Sequence, residues 1–219
     1  AGPFVFRIGN SDIKNGYQQA EYFINKGIKR VGLYTEETEY TQDIATFFKK
    51  RFIELGGTLV SDLNFLPNST DFKSEITVLL SKKPQAIFMS TQTGLAFGIF
   101  VKQLRDMHKQ SDIEIHTNFV AAANPDAFTA AGDTIYGVYY MAPVYDKNNP
   151  ELVKFFKLYR EQHKVDPMIA FHAAGTVDTL NMLQDYLDKS KIFDRDGFQQ
   201  YLLTNIKNYH GLMGSYSFD

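Results

Sequence analysis

Residues 29–57, KRVGLYTEETEYTQDIATFFKKRFIELGG, constrain the fold more than any other stretch of the chain. A short apolar strand carrying Val31 and Leu33 runs into a polar loop with Tyr40 at its end, and a helix follows at once and stops on Gly56-Gly57. In that helix Ile44, Phe47, Phe48, Phe52 and Leu55 recur at the helical period, so one face is built for burial. Strand, loop and helix in this order put the loop at the carboxyl end of the strand, where open α/β sheets take small molecules.

The same alternation continues through the first two-thirds of the chain. Strands are predicted at 4–8, 30–34, 58–64, 86–90, 113–117 and 135–141, with helices near 12–25, 42–55, 72–81 and 94–109. The third helix follows Thr70-Asp71, residues suited to a helix start, and brings Phe72, Ile76, Leu79 and Leu80 to one side. Alternating strands and helices imply an α/β fold: an open, mostly parallel sheet with helices on both faces. Right-handed crossovers then gather the strand-end loops on one edge.

After Pro143 the pattern changes. Asn149-Pro150 opens a helix with Leu152, Phe155, Phe156 and Tyr159 on one face. Asp166-Pro167 opens a longer one through Ala174, Leu180, Leu183 and Leu187, and a third follows Asp196 with Phe198, Tyr201 and Leu202. A short strand at 215–218 ends the chain. No strand separates the three helices, so their apolar faces have no sheet of their own to cover.

Composition narrows the function. A chain of 219 residues suffices for one large or two small domains. The net charge of −2, with Lys49, Lys50, Arg51, Lys102, Arg105 and Lys109 spread over helices, argues against nucleic acid or an anionic membrane surface as partner. The absence of cysteine excludes disulfides, thiolate metal sites and a cysteine nucleophile. No apolar run approaches the roughly 18 residues of a membrane span. The strand-like opening AGPFVFRIG suggests that a segment upstream has been removed. His108, His116, His163, His172 and His210 form no ligand pair, so no metal is expected, and His172 reads as a capping or surface residue. No GxGxxG follows a strand, and neither GxxxxGK nor GxSxG occurs. No carboxylate pair is assignable to acid–base work. The chain is therefore not read as an enzyme, and no catalytic residue or cofactor is expected.

The candidate binding residues lie at strand ends. Ser90-Thr91-Gln92-Thr93-Gly94 joins an apolar strand to a helix and offers hydroxyls, an amide and backbone N–H groups. Thr117-Asn118 ends the next strand, and Tyr40 ends the first loop. Each alone reads as well as a helix cap; together on one edge, Tyr40, Thr91, Gln92, Thr93 and Asn118 make a binding face. Glu36, Glu37, Glu39 and Asp43 read as a solvated acidic loop in preference to a cation or ammonium site. Gly94 and Gly98 read as packing or turn residues.

In this order the segments resemble the type 1 periplasmic binding proteins, specifically the branched-chain amino-acid (leucine/isoleucine/valine-binding) family that serves ABC transporters. FVFRIGNSDIKNG resembles the family's opening of its second lobe. YTEETEYTQDIATFFKKRFIELGG resembles its strand, its polar loop ending in Tyr-Gly-x-Gly, and a helix closed by two glycines. NSTDFKSEITVLLSKKPQAIFMS resembles its Thr-Asp-Phe helix and Lys-Pro strand. AGDTIYGVYYMAPVYDKNNPELVKFFKLYREQH and GLMGSYSFD resemble its crossings between lobes.

The resemblance implies two α/β lobes joined by three hinge strands, with a ligand held between them. Residues 1–142 with 215–219 would form lobe two, and 143–214 the returning helices of lobe one, with the family's first third absent. Hinges would lie near 4–7, 139–144 and 215–218. The implied function is the periplasmic or extracellular solute-binding component of an ABC importer. Its partners would be an amino acid or similar small molecule, a membrane permease, and either a missing amino-terminal segment or a second copy covering helices 150–188. A sensing or regulatory module of the same fold, acting on a receptor or cell-wall enzyme, is the alternative. Tyr40 matches the tyrosine that closes over the ligand, and Thr93 or Gly94 falls where the family often places a pocket aromatic. Two departures bear on the ligand. Tyr-Gly-x-Gly reads Tyr40-Thr41-Gln42-Asp43, and the loop that carries a glutamate for the ammonium group reads Asn118-Phe119-Val120-Ala121, with no acid. An aromatic acid, urea, an amide or another small solute therefore stands beside an amino acid.

Overall fold

The computed structural model describes residues 2–108 and 113–219. The chain divides into a sheet unit, residues 11–142, and a helical unit made of 1–10 with 143–219.

The sheet unit runs α1 (Asp12–Asn25), β1 (Arg30–Glu36), α2 (Glu39–Glu54), β2 (Thr58–Phe65), α3 (Lys73–Ser81), β3 (Ala86–Ser90), α4 (Gly94–Met107) and β4 (Glu114–Asn118). Two short helices, α5 (Phe119–Ala123) and α6 (Pro125–Ala131), and a 3-10 turn over Gly132–Ile135 lead to β5 (Val138–Met141). The five strands are parallel in the order β2-β1-β3-β4-β5. The direction of winding reverses between β1 and β3, which makes that junction the switch point of the sheet.

Strand parity sorts the core. Val31 and Leu33 of β1 and Ala86 and Phe88 of β3 pack with Phe23, Ile44, Phe48 and Phe52 of α1 and α2. The alternate residues Tyr34, Ile87 and Met89 pack with Phe72, Ile76, Phe97 and Phe100 on the α3 and α4 side. All five residues of β3 are buried, as a strand covered on both faces requires. The two helices of the first face touch through Gly16, where a Cβ would lie 2.6 Å from the Ile44 carbonyl oxygen. Gly56, with φ of 84°, lets the chain leave α2 in the left-handed region.

Several boundaries differ from the sequence reading for local reasons. The second helix starts at Glu39, not near 42, because Thr38 caps it by accepting from the Thr41 N–H. The predicted strand at 135–141 is shortened to Val138–Met141, following the 3-10 turn and Gly137 at φ of 81°. Helix α6 was not foreseen, although Asn124 and Pro125 form a good start: the Asn124 side chain accepts from the Asp126 N–H at 2.9 Å. Lys109 lies outside the described residues.

The helical unit holds α7 (Pro150–His163), α8 (Ala170–Ser190), α9 (Arg195–Asn205) and an antiparallel pair, β6 (Tyr209–His210) with β7 (Ser215–Tyr216). Asn149 and Asp194 cap α7 and α9 through their side chains. The predicted strand at 4–8 does not form, since no strand within the unit pairs with it. Phe6 and Ile8 pack instead with Met182, Leu202 and Phe218, the Phe6 and Phe218 rings meeting edge-on at 5.2 Å. This apolar contact groups residues 1–10 and 215–219 with the helices and not with the sheet, where the sequence reading had put them.

Asp178, fully buried in α8, fastens the terminal hairpin. Its carboxylate accepts from the Leu212 N–H at 2.7 Å, the Met213 N–H at 3.3 Å and the Tyr216 hydroxyl at 2.8 Å. Burial, and then this carboxylate, push the Tyr216 phenol well above its ordinary pKa. Among the described residues no helix is long and apolar enough to cross a membrane.

Candidate functional site

The carboxyl edge of the five-stranded sheet is held together by side chains from the ends of β1, β3 and β4. Glu36, the last residue of β1, shares the parity of Tyr34 and so falls on the α3 and α4 side. There it meets the loop between β3 and α4. One carboxylate oxygen, Oε2, accepts from the Thr91 hydroxyl at 2.7 Å, the Gln92 N–H at 2.9 Å and the Thr93 N–H at 3.2 Å. The other, Oε1, accepts from the Thr93 hydroxyl at 2.5 Å. Every partner is a donor, the pattern of an ionised carboxylate. Glu36 is 0% exposed. This corrects the reading of 36–43 as one solvated acidic loop: Glu37, Glu39 and Asp43 are exposed, but Glu36 is enclosed because the strand's alternation carries it inward.

A second set of bonds ties the opposite parity. The Ser90 hydroxyl donates to the Thr41 carbonyl at 2.8 Å, and the Asn118 amide donates to the Ser90 hydroxyl at 3.2 Å and the Thr91 carbonyl at 3.3 Å. The Thr41 hydroxyl donates to the Glu36 carbonyl at 2.5 Å. Asn118 Oδ1 is buried and has no partner among the described residues. The orientation of this amide follows from Thr91: a flip would set Oδ1 against the Thr91 carbonyl, acceptor against acceptor.

The five residues singled out from sequence fall in different settings. Thr91 and Asn118 are fully buried, Thr93 is half-buried, and only Gln92 has an exposed side chain. Thr91, Thr93 and the Gln92 backbone are joined through Glu36, with Asn118 linked to Thr91. Tyr40 stands in the first turn of α2, packed on the α1 and α2 cluster. Its hydroxyl is enclosed without a partner among the described residues, and burial, then the charge of Asp12, push the phenol far above its ordinary pKa. Sequence reasoning placed Ser90 in the polar run and Glu36 in the acidic loop at this edge, but chose neither of them, nor Thr41, as a site residue. Strand parity was the available signal, since it separates Glu36 from the exposed acids that follow it.

His116 lies outside this network. It is buried against α1, its Nδ1 3.1 Å from the Gln19 amide and its Nε2 2.9 Å from Glu114. The Tyr139 ring stacks on it at 4.9 Å. Burial lowers its pKa, with Glu114 opposing. Among the described residues no group of three or more His, Asp or Glu side chains is placed to hold a metal ion.

A parallel sheet of this order, with a polar edge at its switch point, invites comparison with solute-binding folds. The family described as periplasmic binding protein matches residues 1–219, the whole chain. The chain belongs to the periplasmic binding protein family. A leucine binding protein from Thermotoga maritima superposes with a TM-score of 0.85 at 25% identity, over 99% of this chain and 61% of its own. An ABC-transporter solute binding protein from R. palustris, solved with benzoate, gives 0.81 at 20% identity over 100% and 59%. A branched-chain amino acid transporter substrate binding protein from Streptococcus pneumoniae, solved with isoleucine, gives 0.79 at 22% identity over 95% and 58%. The last two likenesses speak to the fold, which is that of a type 1 periplasmic binding protein. This periplasmic binding protein chain spans about 60% of the length of the solved structures it matches. No curated protein sequence matches it.

Proposed function

We propose that this chain is part of an extracytoplasmic solute-binding component of an ABC importer, with the carboxyl edge of the sheet unit as its contribution to the ligand site. The observation that carries this reading is the polar network at the β1/β3 switch point, in a chain that matches the periplasmic binding protein family throughout. In this reading the sheet unit is lobe two, and the helical unit supplies the returning helices of lobe one. Gln92, Thr93, Asn118 and Tyr40 contact or enclose the solute, while Thr91 positions the loop from within. The ligand is an amino acid or a related small molecule, the membrane partner is the permease, and an amino-terminal segment or a second copy covers the helical unit. The role is binding, not catalysis.

A thermal-shift panel of amino acids, aromatic acids, amides and urea on the whole protein tests this. At least one solute raises the melting temperature, and Tyr40→Ala or Gln92→Ala reduces that response. If no solute shifts melting while a soluble protein partner binds, the transport reading fails and sensing replaces it.

A further inference from the structure

We infer that Gln19 and His116 form a proton-coupled amide switch where α1 meets β4: the Gln19 side chain donates to the neutral imidazole and turns over to accept from the imidazolium.

Hydrogen-bond chemistry fixes the neutral state. Nε2 of His116 lies 2.9 Å from Oε2 of Glu114, and a carboxylate only accepts, so Nε2 carries the ring proton. Nδ1 is then a bare acceptor, and the Gln19 amide nitrogen, 3.1 Å away, donates to it. The reverse amide orientation would set Oε1 against Nδ1, acceptor against acceptor. Gln19 is 1% exposed and His116 2%, so bulk water does not make good a lost bond.

The same geometry prepares the change. A proton added to the ring goes to Nδ1 and turns it into a donor, which then faces the Gln19 N–H groups donor against donor. Oε1 of Gln19 is buried and has no partner among the described residues. A half-turn of the planar amide exchanges its two ends within nearly the same volume and brings this idle acceptor to Nδ1–H. The α1 backbone need not move. The inverted pair joins a cation to a carbonyl oxygen, a stronger bond than the neutral one it replaces.

The surroundings suit both states. The Tyr139 ring of β5 lies nearly parallel to the imidazole, 4.9 Å from it with the planes at 14°, and presents its face to a cation. Phe23 at 4.5 Å and Tyr22 at 5.5 Å, both on α1, complete an aromatic wall. Of the side chains facing the ring, Glu114 on β4, Tyr22 on α1 and Tyr139 on β5 titrate, while Phe88, opposite His116 on β3, does not. The Lys26 ammonium of α1 lies 5.8 Å from the centre of the Tyr22 ring, one ring removed from His116. Burial opposes the added proton and outweighs Glu114, which favours it. The donating orientation is therefore the resting one at neutral pH, and the inversion belongs to acid.

A titration of the isotopically labelled chain tests the inference. The His116 ring nitrogens, the Gln19 side-chain amide and the α1 backbone amides are followed from neutral pH down to the onset of acid unfolding. At neutral pH the ring proton sits on Nε2, and one Gln19 N–H proton is shifted downfield by its bond to Nδ1. As the ring gains its second proton that shift is lost, while the α1 amides keep their protection. An Nδ1–H tautomer at neutral pH, a Gln19 amide indifferent to the ring's titration, or α1 protection lost along with it would overturn the inference. Unfolding before the ring titrates would do the same. Gln19→Leu removes both ends of the amide, and the cation loses the stronger of the two bonds. Its His116 should titrate at least about half a pH unit lower than in the wild type. An unchanged or higher midpoint would show that Gln19 does not accept from the imidazolium. Should that variant fail to fold, the wild-type titration decides alone.

Discussion

The sheet unit and the helical unit use the same materials with different results. In the sheet unit the apolar faces of α1, α2, α3 and α4 close on a sheet that the same segment supplies, and Phe23, Phe48, Phe52, Phe97 and Phe100 are completely enclosed. In the helical unit α7, α8 and α9 also carry apolar faces, yet Val153, Leu158, Leu180, Ile192 and Phe193 are exposed, and Phe4, Phe6, Phe198 and Phe218 flank an apolar groove of about 230 Å3. Amphipathicity states which face a helix offers; whether that face is buried depends on a partner elsewhere in the chain. Both units do bury one carboxylate, Glu36 and Asp178, and each is satisfied by N–H and O–H donors without a counter-cation among its hydrogen bonds. Polar satisfaction is therefore complete at these points even where apolar covering is not.

The contrast breaks most visibly at a core aromatic. Phe48→Ala should destabilise the sheet unit by about 3–5 kcal/mol, since it removes a ring packed on Phe23, Phe52 and Phe88 and leaves a cavity. Urea unfolding followed by amide exchange within β1 and β3 reads this, and a loss below about 1 kcal/mol would mean the core is not packed as described. His116 sharpens the contrast at an intermediate level. Its folded pKa is lowered from 6.5 by burial, so on acidification the unfolded chain takes up the proton first. Its contribution is whole above that value and fades as the pH falls below it. The urea midpoint of the sheet unit should drop between neutral pH and about pH 5, and His116→Phe should flatten part of that slope. A midpoint that rises on acidification would contradict the burial. The smallest effect is expected at Leu180, 57% exposed: Leu180→Ser should change stability by no more than about 0.5 kcal/mol while lowering hydrophobic-dye binding. A loss as large as that of Phe48→Ala would show that something covers Leu180 in solution.

The same division explains what the sequence disclosed. Elements with a local cause were legible: the α2 face at Ile44, Phe48 and Phe52, the β3 run Ala86–Ser90, and the helix stop at Gly56. Residues 4–8 have strand character, but a strand exists only with a neighbour, and that neighbour is not a property of the five residues. At the edge, Thr91, Gln92, Thr93 and Asn118 were recognisable as polar residues at strand ends. What the linear order concealed was that the N–H and hydroxyl groups of Thr91, Gln92 and Thr93 turn toward Glu36, more than fifty residues earlier. A solvated acidic loop and a buried carboxylate share the same letters, and the register between strands separates them.

The interior position of β1 has a kinetic consequence. It is hydrogen-bonded to β2 on one side and β3 on the other, and each is reached only through helical crossovers. No part of its pairing is local, so the chain must close both loops before β1 is held, and parallel arrangements of this kind fold slowly. The Glu36 hydrogen-bond network forms only when β1 and the loop before α4 are both in position. Recovery of the Gln92 and Thr93 amide protection during refolding would therefore time the joining of β1 to β3, and not the earlier collapse of the helices.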